Sequence, residues 1–266
     1  FTWDVNLNIS TLKNRLTMLD PDKQITTEYT ADGKGYKGYS NGNFFIAEDL
    51  PMFTWRMKEY AGVDENGESL WYRNTKDEAG NVIGRETTKT YADADYYITE
   101  ETSIPKVYGG FGTKLKVYGV DFGINFTYQI GGKQYDGTYA YFMSSPSGTA
   151  GYNYHKDLLN AWTPENTSSN IPRFQLNDQY SAASSTRFLT NASFLNIQNI
   201  NVGYTLPSRW TKKMAISSLR VYMSAENVFY WSKRKGFDPR QSYNETTNAT
   251  YYSPMRTISG GVTFEF

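Results

Sequence analysis

The sequence has no cysteine, a single histidine and no long apolar run. The lack of cysteine excludes a disulfide-stapled module, a cysteine-ligated zinc site and a cysteine nucleophile. Its 27 basic residues balance 27 acidic ones, so no net field attracts nucleic acid. No stretch approaches the roughly 18 consecutive apolar residues that a membrane-spanning helix needs. The sequence therefore argues against a disulfide scaffold, a nucleic-acid-binding protein and a helical membrane protein.

Aromatic residues, by contrast, are abundant. They make up 17% of the 266 residues, although only 39% of the chain is hydrophobic, below the usual share of about 45 to 50%. Such a composition indicates that only some positions of each segment face an apolar environment. The sequence opens at Phe1 with neither an initiator methionine nor a signal peptide. We therefore expect it to be a piece of a longer protein.

Alternation of apolar and polar residues is the dominant local pattern. In residues 120–130 every even position is apolar and every odd position is polar or glycine, which predicts a strand with one apolar face. Four other segments of about ten residues follow the same design, at 1–10, 107–118, 219–231 and 255–266.

A further segment, 194–206, changes phase, and a β-bulge around Gln198-Asn199 would restore its alternation. Weaker strands at 52–61 and 69–75 bring the expected total to about eight.

The connections between these strands differ strongly in length. A single glycine-centred turn joins the strands around Gly119, whereas about 62 residues separate Gly131 from Phe194 and about 23 separate Trp231 from Met255. Alternating strands with short turns on one side and long loops on the other are typical of an outer-membrane barrel. Aromatic side chains would then gather at the two membrane interfaces. A soluble sandwich or barrel also alternates, but it accommodates such long loops poorly.

Two blocks carry a family resemblance. Residues 188–207 read FLTNASFLNIQNINVGYTLP, and residues 216–229 read ISSLRVYMSAENVF. Both resemble blocks of the SusC/RagA-type TonB-dependent outer-membrane transporters of Bacteroidetes. Further matching blocks occur in order along the chain, at 59–64, 104–111, 126–133, 162–166 and 235–239.

The resemblance implies an all-β fold, an antiparallel transmembrane β-barrel of about 22 strands with long extracellular loops. Family members also carry a plug domain and a TonB box, and nothing in this sequence resembles either. Residues 1–266 are therefore expected to be the C-terminal segment of the barrel, about its last eight strands. Its C-terminus would lie on the periplasmic side, with loops at about 132–193 and 232–254 outside the cell. Phe264 and Phe266 resemble the family's C-terminal barrel-assembly signal.

Aromatic residues crowd the long loops and are the candidate ligand contacts. They are Tyr135, Tyr139, Tyr141, Tyr152, Tyr154, Trp162, Tyr251 and Tyr252. Aromatic faces suit sugar rings, and tyrosine and tryptophan are equally enriched in protein interfaces. Three readings remain open for them: contact with a SusD-like lipoprotein lid, contact with substrate, and packing within the loop. On the strands, we expect polar residues to face the plug or solvent, for example Asn125, Thr127, Gln129, Arg220, Glu226 and Glu265.

No catalytic constellation is expected. His155 lacks a nucleophile partner and suits a loop cap. The 64–68 segment has the Asn-Gly signature of a hairpin turn, not the spacing of a calcium loop. The glycines of 109–112 fall within a strand, where close packing explains them better than phosphate binding. Lys212 and Lys213 suit a solvated turn or contacts with lipid head groups. The sequence predicts no enzyme activity, cofactor or metal site.

The resemblance implies an importer of oligosaccharides or peptides in the bacterial outer membrane. Its expected partners are a SusD-like surface lipoprotein, the remaining barrel and plug, TonB acting through the plug, and the lipid bilayer. No nucleic-acid partner is expected. The alternatives are a soluble aromatic-rich glycan-binding β protein and an outer-membrane barrel without active transport. The identity of the substrate cannot be read from a scaffold that serves many ligands.

Overall fold

The computed structural model describes residues 1–146, 151–241 and 252–266. Within these ranges, no helix is long and apolar enough to cross a membrane. The strands are β1 (Thr2–Thr11), β2 (Thr26–Thr30), β3 (Gly35–Asn41), β4 (Phe44–Ala47), β5 (Thr54–Lys58), β6 (Tyr60–Val63), β7 (Ser69–Lys76), β8 (Val82–Thr88), β9 (Tyr96–Thr102), β10 (Val107–Val117), β11 (Val120–Ile130), β12 (Lys133–Tyr135), β13 (Leu189–Asn191), β14 (Phe194–Thr205), β15 (Ser218–Ser232) and β16 (Thr257–Glu265). The helices are α1 (Gly137–Phe142) and α2 (Ser208–Thr211), and 3₁₀ turns lie at Pro21–Lys23, Tyr91–Asp93, Lys156–Asn160, Thr186–Phe188 and Lys212–Met214.

Six long strands form one antiparallel sheet, called here the wall, in the order β1-β10-β11-β14-β15-β16. They are the six segments in which the alternation is clearest, which confirms the strand predictions and the all-β fold class. The predicted bulge is confirmed as well. Asn125 pairs with Asn199 and Phe126 pairs with Ile197, so Gln198 is the extra residue of β14.

The register places apolar side chains on one face of the wall. Phe122 pairs with Val202, and Val202 pairs with Met223 on the next strand. One position away, Asp121 pairs with Gly203 on the opposite, polar face. Large apolar side chains remain exposed across the first face, among them Trp3, Leu7, Phe122, Val202, Met223, Ile258 and Phe264. An exposed apolar band of this extent on one face of a strand layer is the surface that a membrane barrel presents to lipid.

The predicted count of about eight wall strands is too high, because the described residues contain six. Segments 52–61 and 69–75 fold instead into β5, β6 and β7, within the connection between β1 and β10. That connection contains a small closed barrel, β2-β3-β4-β5-β9, and a three-stranded sheet, β6-β7-β8. β5 and β6 are shorter than the roughly nine to eleven residues that span a bilayer. Moreover, Trp55 and Met57 of β5 are buried, so this strand has no exposed apolar face.

All the long connections leave the wall at one end, called here the loop end. They comprise residues 12–106, 131–193 and 233–256. The opposite end, called here the turn end, has the two-residue turn Tyr118-Gly119 and the short connection 206–217. The predicted contrast between short turns and long loops is therefore confirmed, with one additional long loop.

The first two long connections share a core and form one unit, called here the loop body. Trp55 and Met57 from the first connection pack with Tyr135, Met143 and Phe188 from the second. The indole Nε1 of Trp55 also donates a hydrogen bond to the main-chain oxygen of Lys133 at 2.9 Å. Because the side chains of the core come from both connections, the loop body depends on the wall to bring the two together.

Candidate functional site

The polar face of the wall carries a layer of hydrogen bonds between neighbouring strands. Asn125 donates from Nδ2 to Oδ1 of Asn199 at 2.8 Å. Arg220 donates from Nε and Nη2 to the two carboxylate oxygens of Asp121, at 2.9 and 2.6 Å. Thr127 accepts a hydrogen bond from the side chain of Asn196. Such a hydrogen-bonded, largely polar surface suits the aqueous interior of a large barrel.

The other predicted interior residues lie in the same wall. Gln129 donates to the main-chain oxygen of Ala192 at 3.3 Å. Glu226 pairs in register with Asn199, and Glu265 pairs with Ser218. Whether any of these residues faces a plug stays a prediction.

Glycines give the polar face its close packing. A Cβ atom at Gly203 would lie 2.7 Å from Cζ of Arg220, so glycine leaves room for the guanidinium to lie flat across the strand. Gly112 leaves the same kind of room for the side chain of Asn125. Gly112 belongs to the glycine-rich 109–112 segment, which lies within β10 and opens no helix. Close packing therefore explains this segment, as the sequence predicts.

Tyr135 and Tyr139 lie inside the loop body. Burial raises the pKa of both phenols. Tyr139 donates from its hydroxyl to Asp157 at 2.9 Å, and the guanidinium carbon of Arg234 lies 3.4 Å from the centre of its ring. Arg234 in turn donates to Asp136 at 2.5 Å. These contacts hold the third connection against the second, so the structure shows packing roles for both tyrosines.

Tyr141, Tyr152 and Tyr154 come together around one open cleft of about 540 Å³. Tyr141 and Tyr152 are more than half exposed, and Tyr154 packs edge-on against Phe174. The other described lining residues are Ser144, Ser145, Pro146, Asn153, Asn177, Asp178, Gln179, Ser181 and Ala182. Aromatic rings surrounded by amides, hydroxyls and one carboxylate can hold a polar molecule by stacking and hydrogen bonds.

Trp162 and Tyr252 do not line this cleft. The indole of Trp162 packs against Gly67, where a Cβ atom would lie 2.5 Å from the ring. Tyr252 is 94% exposed, and Tyr251 lies outside the described residues. Ligand contact by any of the eight aromatic residues stays a prediction.

Phe264 and Phe266 lie at the turn end of the wall. Phe264 pairs with Leu219 on the apolar face, and both phenylalanine side chains are exposed. Their part in barrel assembly stays a prediction.

His155 and the 64–68 segment, which were considered as possible catalytic or metal-binding groups, have structural roles. Nδ1 of His155 accepts a hydrogen bond from the Asp157 amide at 3.1 Å and so caps the 3₁₀ turn Lys156–Asn160. The Asp64 carboxylate accepts from the amides of Asn66 and Glu68, which closes the predicted hairpin turn. Across the described ranges, no three His, Cys, Asp or Glu side chains are grouped to hold a metal ion.

Residues just after β15 have a role that the sequence analysis missed. Arg240 donates from Nη1 to Oδ1 of Asn196 on the polar face at 2.8 Å, and also donates to Asp238. Burial alone would raise the pKa of Asp238, but these hydrogen bonds hold it below its usual value. Phe237 is buried beside them. In the sequence, only the Asp-Pro-Arg segment after a strand suggests that the chain turns back here onto the polar face of the wall.

These features define a class of protein. A wall with one apolar and one hydrogen-bonded polar face, and with its long connections gathered at one end, belongs to an antiparallel transmembrane β-barrel.

Comparisons with known proteins agree with this class. No protein-family model matches the chain. It is 24% identical to TonB-dependent receptor P3 of Formosa agariphila and 26% identical to TonB-dependent receptor SusC of Bacteroides thetaiotaomicron. Each alignment covers 100% of this chain, but only 27% and 24% of the respective relative. The chain thus spans about a quarter of the length of these relatives.

Solved structures extend the likeness to the fold. The chain superposes on the RagAB peptide transporter with a TM-score of 0.75 at 27% identity, covering 99% of this chain and 27% of that chain. The RagAB peptide importer in its open-open state gives a TM-score of 0.75 at 26% identity, with the same coverage. The predicted resemblance to SusC/RagA-type TonB-dependent transporters is therefore confirmed.

Proposed function

We propose that this chain forms part of the barrel of a SusC/RagA-type TonB-dependent importer in the bacterial outer membrane. One observation carries the proposal: a six-stranded wall with an exposed apolar face, a hydrogen-bonded polar face and all its long loops at one end. Residues 1–266 would be the C-terminal segment of that barrel. The plug, the TonB box and the other strands would belong to the rest of the same transporter.

The cargo in this proposal is an oligosaccharide or a peptide too large for passive diffusion. A SusD-like surface lipoprotein would deliver it at the loop end, and TonB would act through the plug. The names of the relatives support this, since one is a TonB-dependent receptor and another a peptide transporter. The polar face of the wall supports it as well, because a hydrated cargo needs a polar path.

The exposed loop aromatics are the surface we assign to lid or cargo. Tyr141, Tyr152 and Tyr252 are the most exposed of the candidate residues that the structure describes. Contact with the lipoprotein is the first role that we propose for them, and direct contact with cargo is the second. Tyr135 and Tyr139, which are packed inside the loop body, would support this surface from below.

The dependence of uptake on TonB tests the proposed transport function. In cells that carry this protein, we expect uptake of its labelled oligosaccharide or peptide to be lost when TonB is deleted, because a closed plug opens only under applied force. Growth on a monosaccharide or free amino acids is the control. Uptake that continues without TonB would favour the alternative of a passive barrel.

Orientation gives a second test, for which the cysteine-free sequence is convenient. Tyr252→Cys places a thiol at the loop end and Tyr118→Cys places one in the opposite turn, at positions that are 94% and 97% exposed. In intact cells, a membrane-impermeant maleimide should label Tyr252→Cys alone. It should label Tyr118→Cys only after the outer membrane is permeabilised. The reverse pattern would refute extracellular loops and a periplasmic C-terminus.

A further inference from the structure

Three clefts open on the loop body. Cleft 1 is the cleft of about 540 Å³ described above, and it is formed by the second connection. Cleft 2, of about 490 Å³, is lined by residues of β2, β9 and β12 among others. Cleft 3, of about 340 Å³, is lined by residues of β7 and of the segment 175–180 among others. Clefts 2 and 3 therefore lie between the two connections that share the core.

The charged residues that line these clefts are mostly acidic. Cleft 2 carries four carboxylates and one lysine, and cleft 3 carries two carboxylates and one lysine. Asp178 lines both cleft 1 and cleft 3, and it is the only charged residue among the described residues of cleft 1. Because the whole chain has equal numbers of basic and acidic residues, this excess of negative charge belongs to the clefts and not to the composition.

Ion pairs leave an unpaired carboxylate in every cleft. Both lysines are paired, Lys133 with Glu101 and Lys89 with Glu68. Glu59 in cleft 2 is paired as well, with Arg85. The remaining three carboxylates form no ion pair with any described residue: Asp32, Glu100 and Asp178. Each cleft thus has an unpaired negative charge, and its described lining residues include no unpaired positive one.

Two buried polar groups beside the clefts also lack partners. Tyr97 lines cleft 2 and Trp71 lines cleft 3, and each residue is 1% exposed. Within the described ranges, neither the Tyr97 hydroxyl nor the Trp71 indole nitrogen makes a hydrogen bond. Buried polar groups are normally hydrogen-bonded, so unsatisfied ones beside a cavity indicate a ligand that completes them. A phenol oxygen accepts from a cationic donor, and an indole N–H donates to a carbonyl oxygen.

Tyrosine rings in clefts 1 and 3 offer faces for cations. Elsewhere in the chain arginines lie over tyrosine rings, as Arg56 does over Tyr96 at 3.9 Å and Arg85 does over Tyr72 at 4.0 Å. Four cleft tyrosines have no such cation from the part of the chain that the structure describes: Tyr141, Tyr152, Tyr154 and Tyr180. An aromatic ring in the same cleft as an unpaired carboxylate favours an ammonium or guanidinium group.

We propose that the cargo of this importer is positively charged, namely a peptide rich in lysine and arginine whose side chains enter these clefts. The proposal rests on the proposed function, an importer of oligosaccharides or peptides, and selects one of these cargoes by its charge. Unpaired carboxylates attract cationic side chains and repel anionic cargo. Lysine and arginine carry their charge at the end of a long stem, and main-chain carbonyl groups supply the acceptor that Trp71 lacks. Tyr141 and Tyr152 then have the second of their two proposed roles, contact with cargo.

Binding of labelled peptides to the purified full-length transporter tests the proposal. Three peptides of equal length are compared, which differ only in carrying lysine, glutamine or glutamate at the same positions. The lysine peptide should bind the wild type most tightly, and its binding should weaken as salt is raised. This comparison needs no variant, so it tests the charge preference even where a variant fails to fold.

The cleft variant Asp32→Asn/Glu100→Gln/Asp178→Asn locates the preference in the clefts. It removes the three unpaired carboxylates and retains an acceptor oxygen at each position. We expect it to bind the lysine peptide about tenfold more weakly than the wild type or worse, since three ion pairs are lost together.

Asp22→Asn/Glu78→Gln/Glu165→Gln is the matched control. It removes three exposed carboxylates that line none of the clefts, so it changes the net charge by the same amount. We expect the control to bind the lysine peptide like the wild type. The heat-dependent gel shift checks that the barrel is folded in both variants.

Three results would overturn the proposal. One is equal affinity of the wild type for the lysine and glutamate peptides. Another is an equal loss in the cleft variant and the control, which would mean a general effect of net charge. The third is tighter binding of a glucosamine oligosaccharide than of the lysine peptide, which would assign the clefts to a cationic glycan.

Uptake by cells separates these failures from a failure of the proposed function. Uptake of the glutamine or glutamate peptide that depends on TonB, without uptake of the lysine peptide, would refute the charge preference and retain the importer. Entry of all three peptides after deletion of TonB would refute active import, and the binding comparison would still decide the charge preference.

Discussion

Ile200→Arg should destabilise the membrane-inserted protein by about 2 to 4 kcal/mol, because it places a charge near the middle of the lipid-facing band. Ile200 pairs with Ile124 on one side and Ala225 on the other, within the apolar face. Asn201→Arg, one position along the same strand, is the matched control. Asn201 pairs with Gly123 and Ser224 on the polar face, where water solvates the added charge.

The measurement is urea unfolding in lipid vesicles, followed by tryptophan fluorescence, together with the heat-dependent gel shift of a folded barrel. We expect Asn201→Arg to keep the wild-type midpoint within error. Equal losses in the two variants would contradict the assignment of faces. A soluble protein, the alternative left open by alternation alone, would fold and stay in solution without detergent or lipid.

Trp55→Ala should cost the loop body about 3 to 5 kcal/mol, since it empties the largest side-chain volume of a shared core. Trp55 is 1% exposed and contacts residues from both long connections. The substitution also leaves the main-chain oxygen of Lys133 without its indole donor. Because the wall does not depend on this core, the effect should be confined to residues 12–106 and 131–193.

Limited proteolysis and hydrogen exchange on the full-length protein can show which residues lose stability. Cleavage within the two connections should become fast, while the gel shift of the barrel is retained. Trp210→Ala is the control, because Trp210 is 50% exposed in the short connection at the opposite end. If Trp55→Ala and Trp210→Ala behaved alike, the two connections would not share a core.

The wall could be predicted from sequence because its pattern is local. Each strand lies between lipid and water, so every second residue must be apolar, and this holds residue by residue in 120–130. The bulge at Gln198 was readable for the same reason, since an extra residue shifts the phase of the alternation.

The loop body could not be predicted in the same way. Segments 52–61 and 69–75 contain short apolar runs, and a short run does not reveal whether its partner is lipid or another loop. In the structure these segments also contact residues more than 70 positions away, as Trp55 does at Lys133 and Trp71 does at Tyr180. A pattern confined to a few residues carries no information about such distant contacts.

The aromatic residues of the connection 131–193 show the same limit of prediction from sequence. Tyr139 and Tyr141 are two residues apart on α1, yet Tyr139 packs beneath Arg234 while Tyr141 borders the open cleft. Composition identified this loop as aromatic. The helix, by turning successive side chains to different sides, assigned one tyrosine to packing and the other to the surface.

The sequence by itself determined that the chain forms strands with one apolar face, joined by turns and loops of very unequal length. These properties depend on neighbouring residues and on a solvent that changes from lipid to water across each strand. Only the tertiary structure decided that six strands form the wall and that two loops share one core. Each of these outcomes depends on pairings between distant segments, which fold geometry sets and local pattern does not.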